Sequence, residues 1–253
     1  MSKVKNITTY SKAICLLTIF SIVIVSCHKD NDNNNSSTAG SGTNFNRVNL
    51  VSNNSQDSGA RVDASLVNGW GIAFSPTGNP WISSEAAGVT VAYDASGNQV
   101  IPPVTIPSAS LNTGGHPTGI VFNTSATAFV LPGGGVAKFI FAGDDGVISG
   151  WSSGTAAERV VNNSATASYT GVTIANDSTG APFLYAANFK QSTIDVFDST
   201  FAVVSKTFAD PDLPEGYSPF NIQNVGGALY VMYAKLGSDG DEEKGAGLGF
   251  VDI

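Results

Sequence analysis

Apolar and polar positions along this chain alternate in short bursts, and the bursts return about every fifty residues. Asn68-Gly-Trp-Gly-Ile-Ala-Phe74, His116-Pro-Thr-Gly-Ile-Val-Phe122, Ser168-Tyr-Thr-Gly-Val-Thr-Ile174 and Tyr217-Ser-Pro-Phe-Asn-Ile222 superpose. Gly71, Gly119, Gly171 and Phe220 then share one column, at steps of 48, 52 and 49 residues. Each burst predicts a strand of period two, and each is followed by further short strands set off by Gly, Asn, Ser and Asp turns. In the first repeat these are Pro80–Ser83 and Val89–Asp94; in the second, Lys138–Ala142 and Gly146–Trp151. The third holds Phe183–Ala187, Ser192–Asp198 and Ala202–Phe208; the fourth holds Ala228–Ala234 and Gly247–Ile253. Repeats of this length built from strands predict an all-β fold, a β-propeller of four-stranded blades with about four blades present.

Two further expectations follow from the pattern. Asn46-Arg-Val-Asn-Leu-Val51 alternates by itself and reads as a strand that completes the last blade and closes the ring. The sequence stops at Ile253 inside the third strand of repeat four, so the propeller is expected to be C-terminally incomplete. The third strands end in a turn acid or its neighbour, as at Asp94, Asp198 and Asp252, where a carboxylate caps backbone N–H groups. That role is structural.

Composition adds an address. With 28 glycines and 13% charged residues the chain suits turn-rich β structure. Lys3, Lys5 and Lys12 precede an apolar run, Ala13 to Val25, too short to span a bilayer. The run ends Ile24-Val25-Ser26-Cys27, which resembles a bacterial lipobox, so residues 1–27 read as a lipoprotein signal with Cys27 as the lipidation site. An ordinary secretory signal with a chance cysteine is the plainer alternative. Cys15 lies in the apolar run, so no pair of cysteines is left for a disulfide. Residues 28–45 are Asn, Ser and Gly-rich and read as a flexible tether. Within it Lys29-Asp30-Asn31-Asp32 resembles the export signal of Bacteroidetes surface lipoproteins, or is a polar spacer. The expected location is the outer membrane, lipid-anchored and surface-exposed, with the periplasmic face as the alternative. Beyond residue 27 nine basic residues face twenty acidic ones, a net charge of −11 that disfavours nucleic acid as a partner.

The stretch from Val48 onward also resembles an uncharacterised bacterial propeller family best known from members with a PEP-CTERM sorting tail. The matching residues are Asn49-Leu-Val-Ser52, Leu66-Val-Asn-Gly-Trp-Gly-Ile-Ala73, Gly115-His-Pro-Thr-Gly119, Asp145-Gly-Val-Ile-Ser-Gly-Trp151, Leu184-Tyr-Ala-Ala-Asn-Phe189, Ile194-Asp-Val-Phe-Asp198 and Phe208-Ala-Asp-Pro-Asp-Leu-Pro-Glu-Gly-Tyr-Ser-Pro-Phe-Asn-Ile-Gln223. The resemblance implies a six-bladed ring when complete, related to NHL and strictosidine-synthase-like propellers. It implies no activity and no catalytic residues. The lipobox departs from the sorting tails of those members.

Candidate chemistry is sparse. Asp239, Asp241 and Glu243 alternate as calcium ligands do but lack EF-hand spacing; a weak Ca²⁺ site competes with a solvated hairpin tip. No other cofactor is expected. Asp144-Asp145-Gly146 reads as a hairpin turn, with metal binding the lesser alternative. His116 is the one histidine beyond the tether, so a Cys/His zinc site and a cysteine nucleophile are excluded. No Gly-x-Ser-x-Gly elbow occurs, and Leu131-Pro-Gly-Gly-Gly-Val136 lacks the P-loop lysine. Trp70, Tyr169, Tyr217 and Phe220 cluster at the repeat starts, packing between blades or flooring a sugar or peptide site.

The expected function is a cell-envelope lipoprotein whose propeller is a binding or interaction module. Its partner would be an extracellular glycan, peptide or surface protein, with the membrane reached through the lipid alone. A metal-dependent propeller hydrolase or lactonase is the alternative, and a purely structural surface component a third. Asn68, His116, Asn176 and Asn221 are the candidate ligand-facing residues for either active role.

Overall fold

The computed structural model describes residues 47–57, 59–206, 208 and 210–253. The expected signal segment, Cys27 and the tether lie outside the described residues. Among the described residues there is no helix, and hence none long and apolar enough to cross a membrane.

Four antiparallel sheets are built by up-and-down strands. Blade 1 runs β3 (Gly69–Phe74), β4 (Pro80–Ser84), β5 (Val89–Ala92) and β6 (Val104–Thr105). Blade 2 runs β7 (Pro117–Phe122), β8 (Phe139–Gly143), β9 (Val147–Trp151) and β10 (Glu158–Asn162). Blade 3 runs β11 (Tyr169–Asn176), β12 (Pro182–Asn188), β13 (Thr193–Phe197) and β14 (Val203–Val204). Blade 4 has three strands, β15 (Tyr217–Val225), β16 (Ala228–Lys235) and β17 (Gly249–Asp252). The first strand of each blade touches the first strand of the next, β3 to β7, β7 to β11 and β11 to β15. Radial sheets joined through their innermost strands are a β-propeller, as the fifty-residue period predicts.

The core lies between blades. Trp81, Ile120, Phe139, Phe141 and Trp151 fill the space between blades 1 and 2. Phe129, Ile140, Ile148, Tyr169, Leu184 and Phe197 fill that between blades 2 and 3. Tyr185, Val196, Ile222 and Val231 fill that between blades 3 and 4. Blade 2 is covered on both sides, which is why β8 and β9 are buried throughout.

Each inner strand carries an irregularity at the same depth. The pairing shifts between Gly69 and Ile72, Pro117 and Gly119, Tyr169 and Gly171, and Pro219 and Asn221. The bulged column is therefore Trp70, Thr118, Thr170 and Phe220, and the next column is Gly71, Gly119, Gly171 and Asn221. The sequence alignment had placed Phe220 in the glycine column; the ladder moves that member by one residue. The glycines are needed because the next blade's inner strand presses on them. A Cβ at Gly71 would sit 2.6 Å from the Thr118 carbonyl oxygen, and one at Gly119 2.9 Å from the Val172 nitrogen.

The segment before blade 1 forms a small sheet of its own. β1 (Val51–Ser52) pairs in parallel with β2 (Arg61–Val62), and neither joins blade 4. Leu50 and Val51 instead lie against Gly97 in the outer turn of blade 1, and Arg61 Nε donates to Asn98 Oδ1 at 2.9 Å. A six-residue alternating run specifies a strand but not its partner.

Turn acids cap as expected. Asp94 Oδ1 accepts from Ser96 N and Asn98 N at 2.8 and 2.9 Å, and Asp198 Oδ1 from Thr200 N and Ala202 N at 2.8 and 3.1 Å. Asp177 repeats the arrangement with Thr179 and Ala181. Asp252 does not cap: burial raises its pKa, and its side-chain interaction with the neighbouring Asp210 acts in the same direction. The caps lower the other three pKa values, chiefly through side-chain bonds from Asn98, Thr179 and Thr200 respectively. A depressed folded-state pKa stabilises above the unfolded value and ceases to do so as pH falls through the folded one. Carbon-13 titration should therefore place all three carboxyls below the ordinary value of 3.8. A midpoint at or above the ordinary value for Asp198 would contradict the capping role.

Candidate functional site at the mouth of the inner strands

The inner strands begin at one end of the blades, here termed the mouth. The hairpins joining second to third strands lie at the same end, and two columns of side chains meet there. One column stands at the starts of the inner strands: Asn68, His116 and Ser168 just before β3, β7 and β11, and Ser218 within the start of the β15 ladder. The other stands at the ends of the second strands: Glu85, Asp144 and Phe189 just after β4, β8 and β12, and Ala234 within the end of β16. Backbone pairing fixes them opposite one another, with Glu85 N donating to Asn68 O, Asp144 N to His116 O and Phe189 N to Ser168 O at 3.1, 3.2 and 2.9 Å.

On blades 1 and 2 the columns are polar and converge. His116 Nδ1 lies 2.6 Å from Glu85 Oε1 and 3.9 Å from Asp144 Oδ1. Asn68 Nδ2 donates to Glu85 Oε2 at 2.7 Å. Asn68 adopts a φ of 52°, a left-handed conformation that asparagine tolerates better than most residues. Glu85 is largely covered, at 12% side-chain exposure, whereas His116 and Asp144 stay open at 52% and 40%. Asp145 sits beside them in the Asp-Gly turn that the sequence predicts, where Gly146 has a φ of 76°. Its Oδ1 accepts from Val147 N at 3.3 Å, and its Oδ2 is buried without a partner.

The electrostatics are those of acids gathered round one imidazole. The bond to Glu85 raises the His116 pKa, and the charges of Asp144 and Asp145 act in the same direction. Loss of hydration pushes Asp144 up to about 6, assisted by Glu85 and Asp145 and opposed by His116. Burial likewise raises Asp145. Among the described residues no lysine or arginine forms an ion pair with these acids.

Aromatic rings from blades 1, 3 and 4 also gather near this end. Trp70 and Phe220, from the bulged column of the first and fourth blades, meet with ring centroids 5.9 Å apart. Phe189 packs edge-on to Phe220 at 5.5 Å. Tyr169 and Tyr217 turn away to structural partners. The Tyr169 hydroxyl joins Asn163 and Asp195 between blades, and Tyr217 packs on Phe250. A recess of about 430 Å³ opens at this same end between blades 3 and 4, with Lys206, Phe208, Asp210 and Tyr233 among its walls.

Of the four residues expected to face a ligand, Asn68 and His116 are brought together through Glu85. Asn176 ends β11 at the opposite end, in a separate cleft with Gln223 and Asn224. Asn221 lies within β15, its Oδ1 turned back onto Ile222 N at 2.8 Å. The acids at 239–243 stay apart from the mouth cluster. Asp239 Oδ1 accepts from Asp241 N at 3.3 Å, and Glu243 pairs with Lys235 at 2.8 Å. The group of metal-ligating side chains found among the described residues is instead Glu85, His116 and Asp144, with ligand atoms all within 4.8 Å of one another. Glu85 was not singled out from the sequence; its equivalence to Asp144 at the end of the second strand was the signal that could have found it.

No protein-family model matches the chain. Two relatives, both uncharacterised proteins of Acanthamoeba polyphaga mimivirus, are each 30% identical, over 224 and 203 residues. The matches cover 82% and 75% of this chain and 54% and 52% of theirs, so the chain spans about half the length of these relatives. Among solved structures the chain is similar to a streptogramin B lyase, with 16% identity, a TM-score of 0.46, and 69% of this chain and 53% of that one covered. It is also similar to a protein of unknown function from Bacteroides caccae, with 11% identity, a TM-score of 0.39, and 70% and 59% covered. Likenesses this distant bring no activity with them.

Proposed function

We propose that this protein is a cell-envelope lipoprotein whose propeller is a binding module, with its ligand held at the mouth of the inner strands. The observation that carries the reading is the convergence of Asn68, Glu85, His116 and Asp144 from two blades beside the Trp70–Phe220 pair. Convergent polar groups on rigid strands next to an apolar surface are what a ligand site requires. Aromatic faces beside carboxylates suit a glycan, which can stack its C–H faces and donate its hydroxyls. The lipobox ending in Cys27, the Lys29–Asp32 tether motif and the family resemblance support the envelope location, with surface display favoured over the periplasmic face.

A metal-dependent propeller hydrolase is the second reading, and the grouping of Glu85, His116 and Asp144 favours it. Glycan-array binding separates the two when run on the full chain and on Trp70→Ala. The module predicts saturable binding without turnover, weakened about tenfold or more by loss of the aromatic face. Turnover of a bound glycan or lactone would favour the enzyme. Binding unaffected by Trp70→Ala and by Glu85→Gln would remove the mouth from consideration. For the anchor, Cys27→Ala should move the protein from the membrane to the soluble fraction; retention in the membrane would defeat the lipoprotein reading.

A further inference from the structure

We propose that Glu85, His116 and Asp144 form a binding site for a single divalent first-row metal ion, open on its outer side to a ligand. This deepens the reading of the mouth as the binding face and rests on it. The donor set is one imidazole nitrogen and two carboxylate oxygens, drawn from the second-strand ends of blades 1 and 2 and the inner-strand start of blade 2. Imidazole selects against Mg²⁺ and Ca²⁺, and the absence of thiolate selects against soft ions, so Zn²⁺ or Mn²⁺ fits best. Three protein ligands with the remaining positions open is the coordination of a working site rather than of a sealed structural one.

The geometry needs little adjustment. Ligand atoms on a common tetrahedral ion with bonds near 2.0–2.1 Å lie about 3.3 Å apart. The His116–Glu85 separation of 2.6 Å must widen and the His116–Asp144 separation of 3.9 Å must close, each by well under the length of one bond. His116 and Asp144 are exposed enough to move, while Glu85 is fixed from behind by Asn68. That bond from Asn68 is the outer support that metal-bound carboxylates ordinarily possess.

A separate observation points to a cation. Asp145 adds another carboxylate to the same turn, with one oxygen buried and unpartnered. A buried carboxylate oxygen without a hydrogen-bond donor is costly. Among the described residues His116 is the one basic side chain paired with these acids, and a divalent ion would add the countercharge that a single imidazole does not supply to three carboxylates.

The test is a titration of the chelator-stripped full chain with ZnCl2, MnCl2 and CaCl2, read by calorimetry and by elemental analysis after desalting. One equivalent of Zn²⁺ or Mn²⁺ should bind, with Ca²⁺ weaker. His116→Ala and Asp144→Asn should each weaken binding by more than about tenfold, since even supporting partners have effects on that scale. Asp239→Asn should leave it unchanged. The chain has two histidines, so imidazole NMR on the parent protein and on His28→Ala assigns the His116 ring without any change at the mouth. Its signal should shift with added Zn²⁺ and saturate at one equivalent. A His116 signal that stays put, or uptake that survives both mouth substitutions, would overturn the site. Glycan binding that persists in the stripped protein would then leave the binding module standing without its metal.

Discussion

Gly171→Val lowers the stability of the propeller by about 3 kcal/mol or more, the upper range for overpacking in a closed core. A Cβ at Gly171 would overlap the Asn221 amide oxygen and lie 2.8 Å from the Asn221 Cα. The Asn221 backbone is held in place, because Asn221 pairs with Met232 and the residues after it, Ile222 to Val225, continue the β15–β16 ladder. The strain therefore passes into the contact between blades 3 and 4, where Ile222 and Val231 are buried. Urea unfolding of the purified full chain measures the loss as a lower midpoint at unchanged slope. Gly69→Ala is the control: a Cβ there meets only Ile82 Cγ2 at 3.5 Å and Leu66 Cδ1 at 3.8 Å, ordinary contacts. If the two substitutions cost the same, the close approach of successive inner strands is not what fixes this column.

Phe139→Ala is expected to cost about 3–5 kcal/mol, the usual range for removing a buried aromatic ring. Phe139 is 2% exposed and stacks on Trp81 with centroids 4.1 Å apart, while Phe122 meets it edge-on at 5.2 Å and Trp151 lies at 6.4 Å. Deleting the ring leaves Trp81 and Trp151 facing a void that strands held on both sides by their ladders cannot close. Two of the three tryptophans belong to this cluster, so the emission maximum of the folded protein should shift along with the midpoint. A loss under about 1 kcal/mol would mean that blades 1 and 2 are held by something other than their shared aromatic core.

How much of this was legible beforehand depended on whether a signal repeated. The fifty-residue period and its glycines recur because each inner strand must lie against the next, and that contact admits no side chain. The fourth blade breaks the rule with Asn221, so an alignment on glycine slipped to Phe220. The correct register appears only when the bulge is counted, and a bulge leaves no mark in composition. The candidate site was half legible for a related reason. Asn68 and His116 stand at the repeat starts, where the pattern drew attention. Glu85 and Asp144 stand at second-strand ends, where blades 3 and 4 carry Phe189 and Ala234, so no chemical column showed. Asn176 shared a residue type with Asn68 but belongs to the end of its strand, and strand direction sends it to the far side. The N-terminal run is legible as extended, but its pairing with Arg61–Val62 is not, because two paired residues carry too little pattern to name a neighbour.

The docking of Leu50 and Arg61 against the outer turn of blade 1 has a directional consequence. That turn, Asp94 to Asn98, joins third to fourth strand and so lies at the end of the blade away from His116 and Glu85. Leu50 and Val51 therefore meet the propeller on the face turned away from the acids and the indole of Trp70.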